Sequence, residues 1–166
     1  SAPELAIDID IDEIPREIPT LPTSPESLNF MQQLIAEAKK KPALLKSFTD
    51  VGNAERLTYR FGENIRYVWM GQRKGKWVTW DGKRWRFDDG AHLILLSIAS
   101  AKMIPDEAAD FDDAKFRAAI LNWSKASQSE GKINSASSLA RVHKIDLSTL
   151  DANPWLFNLQ NGTIDL

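Results

Sequence analysis

The chain has 166 residues, a length that suits one domain with a tail, and 43% of them are hydrophobic, enough to build a core. Its net charge of -2 excludes a protein that binds polyanions with its whole surface, and the lack of cysteine excludes disulfides and cysteine-ligated metal sites. The most apolar run, residues 91–104, is too short and too often interrupted by polar residues to span a bilayer. We therefore expect a cytoplasmic protein without a membrane partner.

Residues 1–24 form an acidic segment that contains several prolines. Six acids stand against one base, Arg16, and four prolines fall at positions 3, 15, 19 and 22. A segment of this composition buries too little apolar surface to fold, so we expect a disordered tail or linker. The folded domain should then occupy residues 25–166.

Two helices are predicted at the start of the folded region. Residues 24–26 are a typical helix start, and apolar residues recur at helical spacing over 28–38. Pro42 limits this helix. A second helix is predicted between Asp50, a favourable N-cap, and Gly62, a favourable C-cap.

A change to period-two alternation predicts a small antiparallel β-meander over about residues 65–87. Its three strands are expected at 65–69, 76–80 and 84–87. The Asp81-Gly82 dipeptide between the last two is a frequent hairpin turn.

Helical patterning returns after the meander. A buried helix is expected over about 89–103, and Pro105 breaks it. Asp110 or Asp112 should cap the next helix. The apolar face of that helix is formed by Phe116, Ala119, Ile120 and Trp123.

The last part of the chain should add one helix and one hairpin. Residues 133–144 are expected to be helical, with Leu139 and Val142 pointing inward. Strand-like residues on both sides of Asn161-Gly162 predict a C-terminal β-hairpin. The predicted fold class is therefore α+β, mostly helical, with a small meander and a C-terminal hairpin.

Three stretches carry a resemblance to a known family. They are 49–57 (TDVGNAERL) with 61–68, then 77–85 (WVTWDGKRW), then 150–166 (LDANPWLFNLQNGTIDL). In this order and spacing, they resemble the accessory domain N-terminal to the superfamily 3 helicase in phage, plasmid and poxvirus-type DNA primase–helicases. The resemblance covers roughly residues 45–166.

The resemblance implies a non-catalytic domain that couples primase and helicase in the replication of a mobile element's DNA. The parent protein would carry a hexameric helicase after Leu166, which would bind ATP and magnesium, and often a primase module upstream. No cofactor is then expected in this chain. The partners would be the protein's own helicase and primase domains, other copies of the chain, and single-stranded DNA, in a bacterial cell or another host of the element.

The meander is also the most basic part of the chain. Residues 66–86 contain seven bases and one acid, Asp81, for a local charge of +6. Such a patch attracts phosphates and releases their counterions. We predict that the nucleic-acid-binding residues are Arg66, Arg73, Lys74, Lys76, Lys83, Arg84 and Arg86.

Aromatic residues alternate with these bases. Trp77, Trp80 and Trp85 are candidates for stacking on unpaired bases. The alternative is that strand alternation buries the tryptophans and leaves the bases in solvent. The basic segment would then serve as a protein-interaction surface for an acidic partner.

Catalytic alternatives find less support in the sequence. The Gly71–Gly75 stretch has three residues between its glycines rather than four, and Trp77 follows Lys76 where a phosphate loop needs Ser or Thr. The aspartates at 88, 89, 110, 112 and 113 could indicate a metal-dependent nuclease, but each group precedes a helix, where carboxylates act as caps. His92 and His143 are isolated, so we predict no catalytic residue and no metal site.

Overall fold

In a computed structural model, the described residues form five α-helices, one 3₁₀ helix, a three-stranded antiparallel sheet and a separate pair of antiparallel strands. The structure describes residues 25–69, 75–83, 85–88, 91–143, 157–159 and 162–164. The helices are α1 (Pro25–Lys40), α2 (Asp50–Phe61), α3 (Ala91–Lys102), a 3₁₀ helix (Ile104–Ala108), α4 (Ala114–Ser127) and α5 (Glu130–His143). The strands are β1 (Ile65–Trp69), β2 (Gly75–Trp80), β3 (Trp85–Phe87), β4 (Phe157–Leu159) and β5 (Gly162–Ile164). The predicted α+β class, mostly helical with a small meander, is confirmed.

The start of α2 differs from the prediction by one residue. Thr49 is the N-cap, because its backbone is extended and its side-chain oxygen accepts a hydrogen bond from the Gly52 N–H at 3.1 Å. Asp50 is the first helical residue, where its carboxylate faces the positive end of the helix dipole. Gly62 is the C-cap, as predicted.

The sheet has the order β1-β2-β3, with every neighbour antiparallel. The turn after β2 contains Gly82 at φ 96°, a conformation that glycine adopts without strain. Trp80 pairs with Trp85, so the loop between the strands has four residues and not two. The third strand therefore begins one residue later than the alternation suggested.

The helix α3 is buried on one face only. Leu93 and Leu96 are 3% and 1% exposed, whereas Ile94 and Leu95 are about 40% exposed. The predicted buried helix is therefore present, but only one of its faces is buried. Neighbouring elements cover α3 on the side toward α2, α5 and the sheet, and its apolar residues extend beyond that side.

Two predictions in the later helices also need correction. Asp113 caps α4, rather than Asp110 or Asp112, because its Oδ1 accepts from the Lys115 and Phe116 N–H groups at 2.8 and 3.0 Å. Val142 is 65% exposed and does not point inward. The buried line of α5 passes through Ala140, and a residue two positions later is turned about 200° away from it. Leu139 packs against the core, as predicted.

The interior contains two apolar clusters that meet along α3. The larger joins α1, α2, β1, α3 and α5 around Leu57, Phe61 and Ile65, each of which is fully buried. The smaller joins the end of α3 with the 3₁₀ helix, α4 and α5 around Ile104 and Ile120. The larger cluster attaches the sheet to the helices, because it includes Ile65 of β1 and Trp77 of β2 packs against it.

The strands β4 and β5 pair antiparallel, but the turn between them and the expected tail at 1–24 lie outside the described residues. The C-terminal hairpin and the tail therefore stay predictions. No helix in the described ranges has the length and apolar content needed to cross a lipid bilayer.

Candidate nucleic-acid interface

Strand pairing decides which side chains of the meander share a face, because directly paired residues point to the same side of a sheet. The inner sheet face is formed by Ile65, Tyr67, Trp77, Thr79 and Arg86. It packs on the helices: Ile65 belongs to the larger core cluster, and the Thr79 hydroxyl lies 3.4 Å from Nδ1 of His92 in α3. The outer sheet face is formed by Arg66, Val68, Lys76, Val78, Trp80, Trp85 and Phe87.

The predicted basic residues do not all share one face. Arg66 and Lys76 lie on the outer sheet face, Arg86 lies on the inner one, and Lys83 lies in the turn between β2 and β3. Arg73, Lys74 and Arg84 lie outside the described residues.

Arg66 is engaged in holding the sheet. Its Nη1 donates to the carbonyl oxygens of Gly62 and Ile65 at 2.7 and 2.8 Å, and its guanidinium lies over the Trp85 ring at 5.1 Å. Burial lowers the pKa of the Arg66 guanidinium, and the nearby Glu63 carboxylate opposes that shift. The Arg66 guanidinium is therefore already engaged by two backbone carbonyls and by the Trp85 ring before any ligand is considered.

Arg86 and Lys83 each lie close to a carboxylate. Nη1 of Arg86 is 3.6 Å from Oδ2 of Asp81, with both side chains largely covered. Nζ of Lys83 is 3.7 Å from Oε2 of Glu26 in α1, and both side chains are more than 80% exposed. An ion pair so open to solvent is weak, so Lys83 can exchange it for another anion.

Lys76 and Phe87 are the exposed members of the outer sheet face. The Lys76 ammonium lies 5.7 Å from the centroid of the Phe87 ring, and 44% of Phe87 is exposed. The two residues place a cation beside an accessible aromatic ring.

The three tryptophans predicted to stack on bases are half-buried. Trp77 lies on the inner face, edge-on to Tyr67 at 5.3 Å, and packs against the core. Trp80 and Trp85 form an edge-to-face pair at 5.5 Å on the outer face. Each ring already has an aromatic partner within the protein.

Two of the aspartates considered for a metal site, Asp88 and Asp113, cap helices. Besides Asp113 at α4, Asp88 accepts hydrogen bonds from the His92 and Leu93 N–H groups at the start of α3. Within the described ranges, no group of three or more His, Asp or Glu side chains could hold a metal ion. Asp89 and the side chain of His143 lie outside these ranges.

A small cavity lies among α2, α3, α4 and α5. It holds about 10 Å³ and is lined in part by Asn53, Ser100 and Ser127. Pockets for nucleotides and other ligands of that size measure roughly 300–1,000 Å³. The cavity has room for about one water molecule and cannot hold a nucleotide.

Comparison with known proteins assigns the family. The family model described as "D5 N terminal like" matches residues 54–166, more than half of the chain. The chain belongs to this family. No curated protein and no solved structure matches it.

The D5 N-terminal-like family is the N-terminal domain of D5-type primase–helicase proteins, so the resemblance to this accessory domain is confirmed. The chain is accordingly a domain of primase–helicase proteins of DNA replication. The match begins inside α2 and takes in the whole sheet. Residues 49–53 of the first motif precede it.

The sequence analysis missed a buried polar centre in the D5 N-terminal-like range. Arg56 of α2 and Glu107 of the 3₁₀ helix form a two-point ion pair, Nε to Oε1 at 2.6 Å and Nη2 to Oε2 at 2.7 Å. Both side chains are at most 2% exposed. Arg56 lies one and five positions from the core residues 57 and 61, which is not the spacing of a shared helix face, so the pattern did not mark its burial. Nothing in the sequence around Glu107 marked it as the partner.

Proposed function

We propose that this chain is a non-catalytic accessory domain of a phage- or plasmid-type DNA primase–helicase. It links the primase side of the parent protein to a hexameric superfamily 3 helicase, helps to assemble the ring, and contacts single-stranded DNA with its basic meander. The helicase, and not this domain, binds ATP and magnesium. The match of the family model over 54–166 is the observation that carries the proposal.

The basic meander supports the DNA contact. Lys76 and Lys83 are exposed, and the sequence of the segment 66–86 adds Arg73, Lys74 and Arg84. Phosphate contacts of this kind require cations that can leave their present partners at low free-energy cost. Lys83, with its exposed ion pair to Glu26, meets that requirement.

A protein-interaction module without DNA contact is the second candidate. Three large apolar side chains close together in the sequence, Leu44, Leu45 and Val51, are each more than 40% exposed. Exposed apolar residues of this size are typical of surfaces that bind another protein. In this alternative, the basic segment 66–86 binds an acidic partner surface.

Fluorescence anisotropy with a labelled single-stranded oligonucleotide, measured over a salt series, tests the proposal. We expect weak binding that falls steeply as salt rises. Replacing Lys83 and Arg84 together by Ala should weaken binding to every sequence alike and lower the salt slope by up to about 1.4, because each phosphate that is no longer neutralised accounts for about 0.7. The matched control removes two exposed charges from α4, Lys115 and Lys125, and should leave the binding unchanged.

If the Lys83/Arg84 double variant binds DNA like the wild type over the whole salt series, the DNA role of the meander is wrong. The protein-interaction alternative would then replace it.

A further inference from the structure

We propose that Phe87 and Lys76 form a subsite for one unpaired nucleotide, with the base stacked on the Phe87 ring and the adjoining phosphate at the Lys76 ammonium. This inference rests on the proposed DNA contact. Phe87 and Lys76 would let the domain distinguish a strand with unpaired bases from other polyanions.

Phe87 is the aromatic residue best placed for this role. It alone is exposed among the aromatic side chains whose accessibility the structure describes. The rings of Trp80 and Trp85 pack on each other, and Arg66 covers Trp85. A base could stack on Phe87 without displacing any of these contacts.

Buried neighbours hold Phe87 in place. It pairs with Val78, which is 2% exposed, and the next residue, Asp88, donates its N–H to the Trp77 carbonyl at 2.9 Å and caps α3 with its carboxylate. The backbone on either side of the ring is therefore fixed by the sheet and by α3. A rigid platform loses little conformational entropy when a ligand binds.

Lys76 supplies the cation at the correct position. Its ammonium lies 5.7 Å from the ring centroid, and no carboxylate in the described part of the chain pairs with it. The flexible four-carbon stem allows the ammonium to move from the ring to a phosphate beside a stacked base. A stacked base then replaces the cation–π contact that Lys76 leaves.

The surrounding charge favours a polyanion. The stretch 66–80 contains four bases and no acid, and two of those bases, Arg73 and Lys74, directly precede β2. This local excess of positive charge would attract phosphates to the part of the meander that carries Lys76. Single strands are favoured over duplex because the faces of paired bases are already covered by their neighbours.

The test compares two oligonucleotides of equal length and charge, an oligothymidine and an abasic strand, in anisotropy titrations with the whole chain. We expect the wild type to prefer oligothymidine by roughly fivefold or more, the lower end of the range for one stacked base. Phe87→Leu should remove this preference and leave the affinity for the abasic strand unchanged. Phe87→Trp should retain the preference for oligothymidine. Lys76→Gln should weaken both titrations and lower the salt slope by about 0.7.

Leu121→Ala is the matched control, because Leu121 is 51% exposed on α4 and belongs to neither face of the sheet. It should change neither affinity. Melting temperatures of all variants would establish that each is folded. If Phe87→Leu is unstable, Phe87→Trp and Lys76→Gln still test the subsite.

The outcomes separate this inference from the function on which it rests. Wild-type protein that binds both strands equally, or a Phe87→Leu variant that retains the preference for thymidine, overturns the subsite and leaves the DNA contact standing. Wild-type protein that binds neither strand, but binds a polyglutamate peptide, overturns both and favours an acidic protein partner.

Discussion

Gly52 lies where the backbone leaves no room for a side chain. A Cβ atom built there would be 2.1 Å from the carbonyl oxygen of Ser47 and 2.7 Å from its hydroxyl. The close approach brings the segment before α2 against the first turn of that helix, where the Gly52 N–H reaches Thr49. The glycine of the TDVGN motif is thus explained by packing rather than by catalysis.

We predict opposite effects for two Gly-to-Ala changes. Gly52→Ala should lower the free energy of unfolding by about 1–3 kcal/mol or more, because the clash is with backbone. Gly131→Ala should raise it by about 0.5–1 kcal/mol, because Gly131 lies in α5 with no neighbour within 4 Å of the added Cβ. Urea denaturation of both variants measures this, and equal effects of the same sign would contradict the packing argument.

At the level of single elements, helix starts are set by side chains whose contacts can be tested one by one. Asp113 accepts two backbone N–H groups at the start of α4, while its neighbour Asp112 is exposed and outside the helix. Substitutions at these two positions therefore distinguish a helix cap from a ligand of an acidic metal site.

Asp113→Ala should lower the free energy of unfolding by about 1 kcal/mol, and Asp112→Ala should leave it nearly unchanged. Adding magnesium should not alter the melting temperature of either variant or of the wild type, nor should magnesium produce cleavage of DNA. A magnesium-dependent stabilisation that Asp112→Ala abolishes would support the nuclease alternative instead.

Elements with local signals could be predicted from the sequence, and the relations between elements could not. Periodicity and caps located α1, α2, the meander and α4 to within a few residues, because helix propensity and turn chemistry act over short stretches. The exposure of Val142 was mispredicted because burial depends on which neighbour covers a helix face.

The candidate interface shows the same division. Composition identified the basic aromatic segment. The alternation of side chains along a strand also predicts that Arg86 lies on the opposite sheet face from Trp85 and Phe87. Only the register with β2 and the packing on α3 reveal that Arg86 faces inward and Phe87 outward. The pairing of residues 56 and 107 lies beyond local pattern altogether, since 51 positions separate them.

On the scale of the whole molecule, charge is divided along the chain. The first 24 residues are acidic, the meander carries +6, and the total is only -2.

Deleting residues 1–24 should leave the melting temperature nearly unchanged, because their charge and proline content oppose packing into a core. Differential scanning calorimetry of the full and shortened chains measures the change. A fall of more than a few degrees would mean that the segment packs on the domain.

The buried Arg56 also limits how this sequence can diverge. Its five N–H donors make five hydrogen bonds, two to Glu107, one to Asn53 and one each to the carbonyls of Lys46 and Ser47. Lysine has the same charge but only three donors, so it could not make at least two of these five hydrogen bonds. Substitution at 56 or at 107 alone would leave a charge without its partner in the interior. Homologous sequences should therefore either keep both residues or replace both with apolar ones. Where both are replaced, other contacts should hold the backbone at residues 46 and 47.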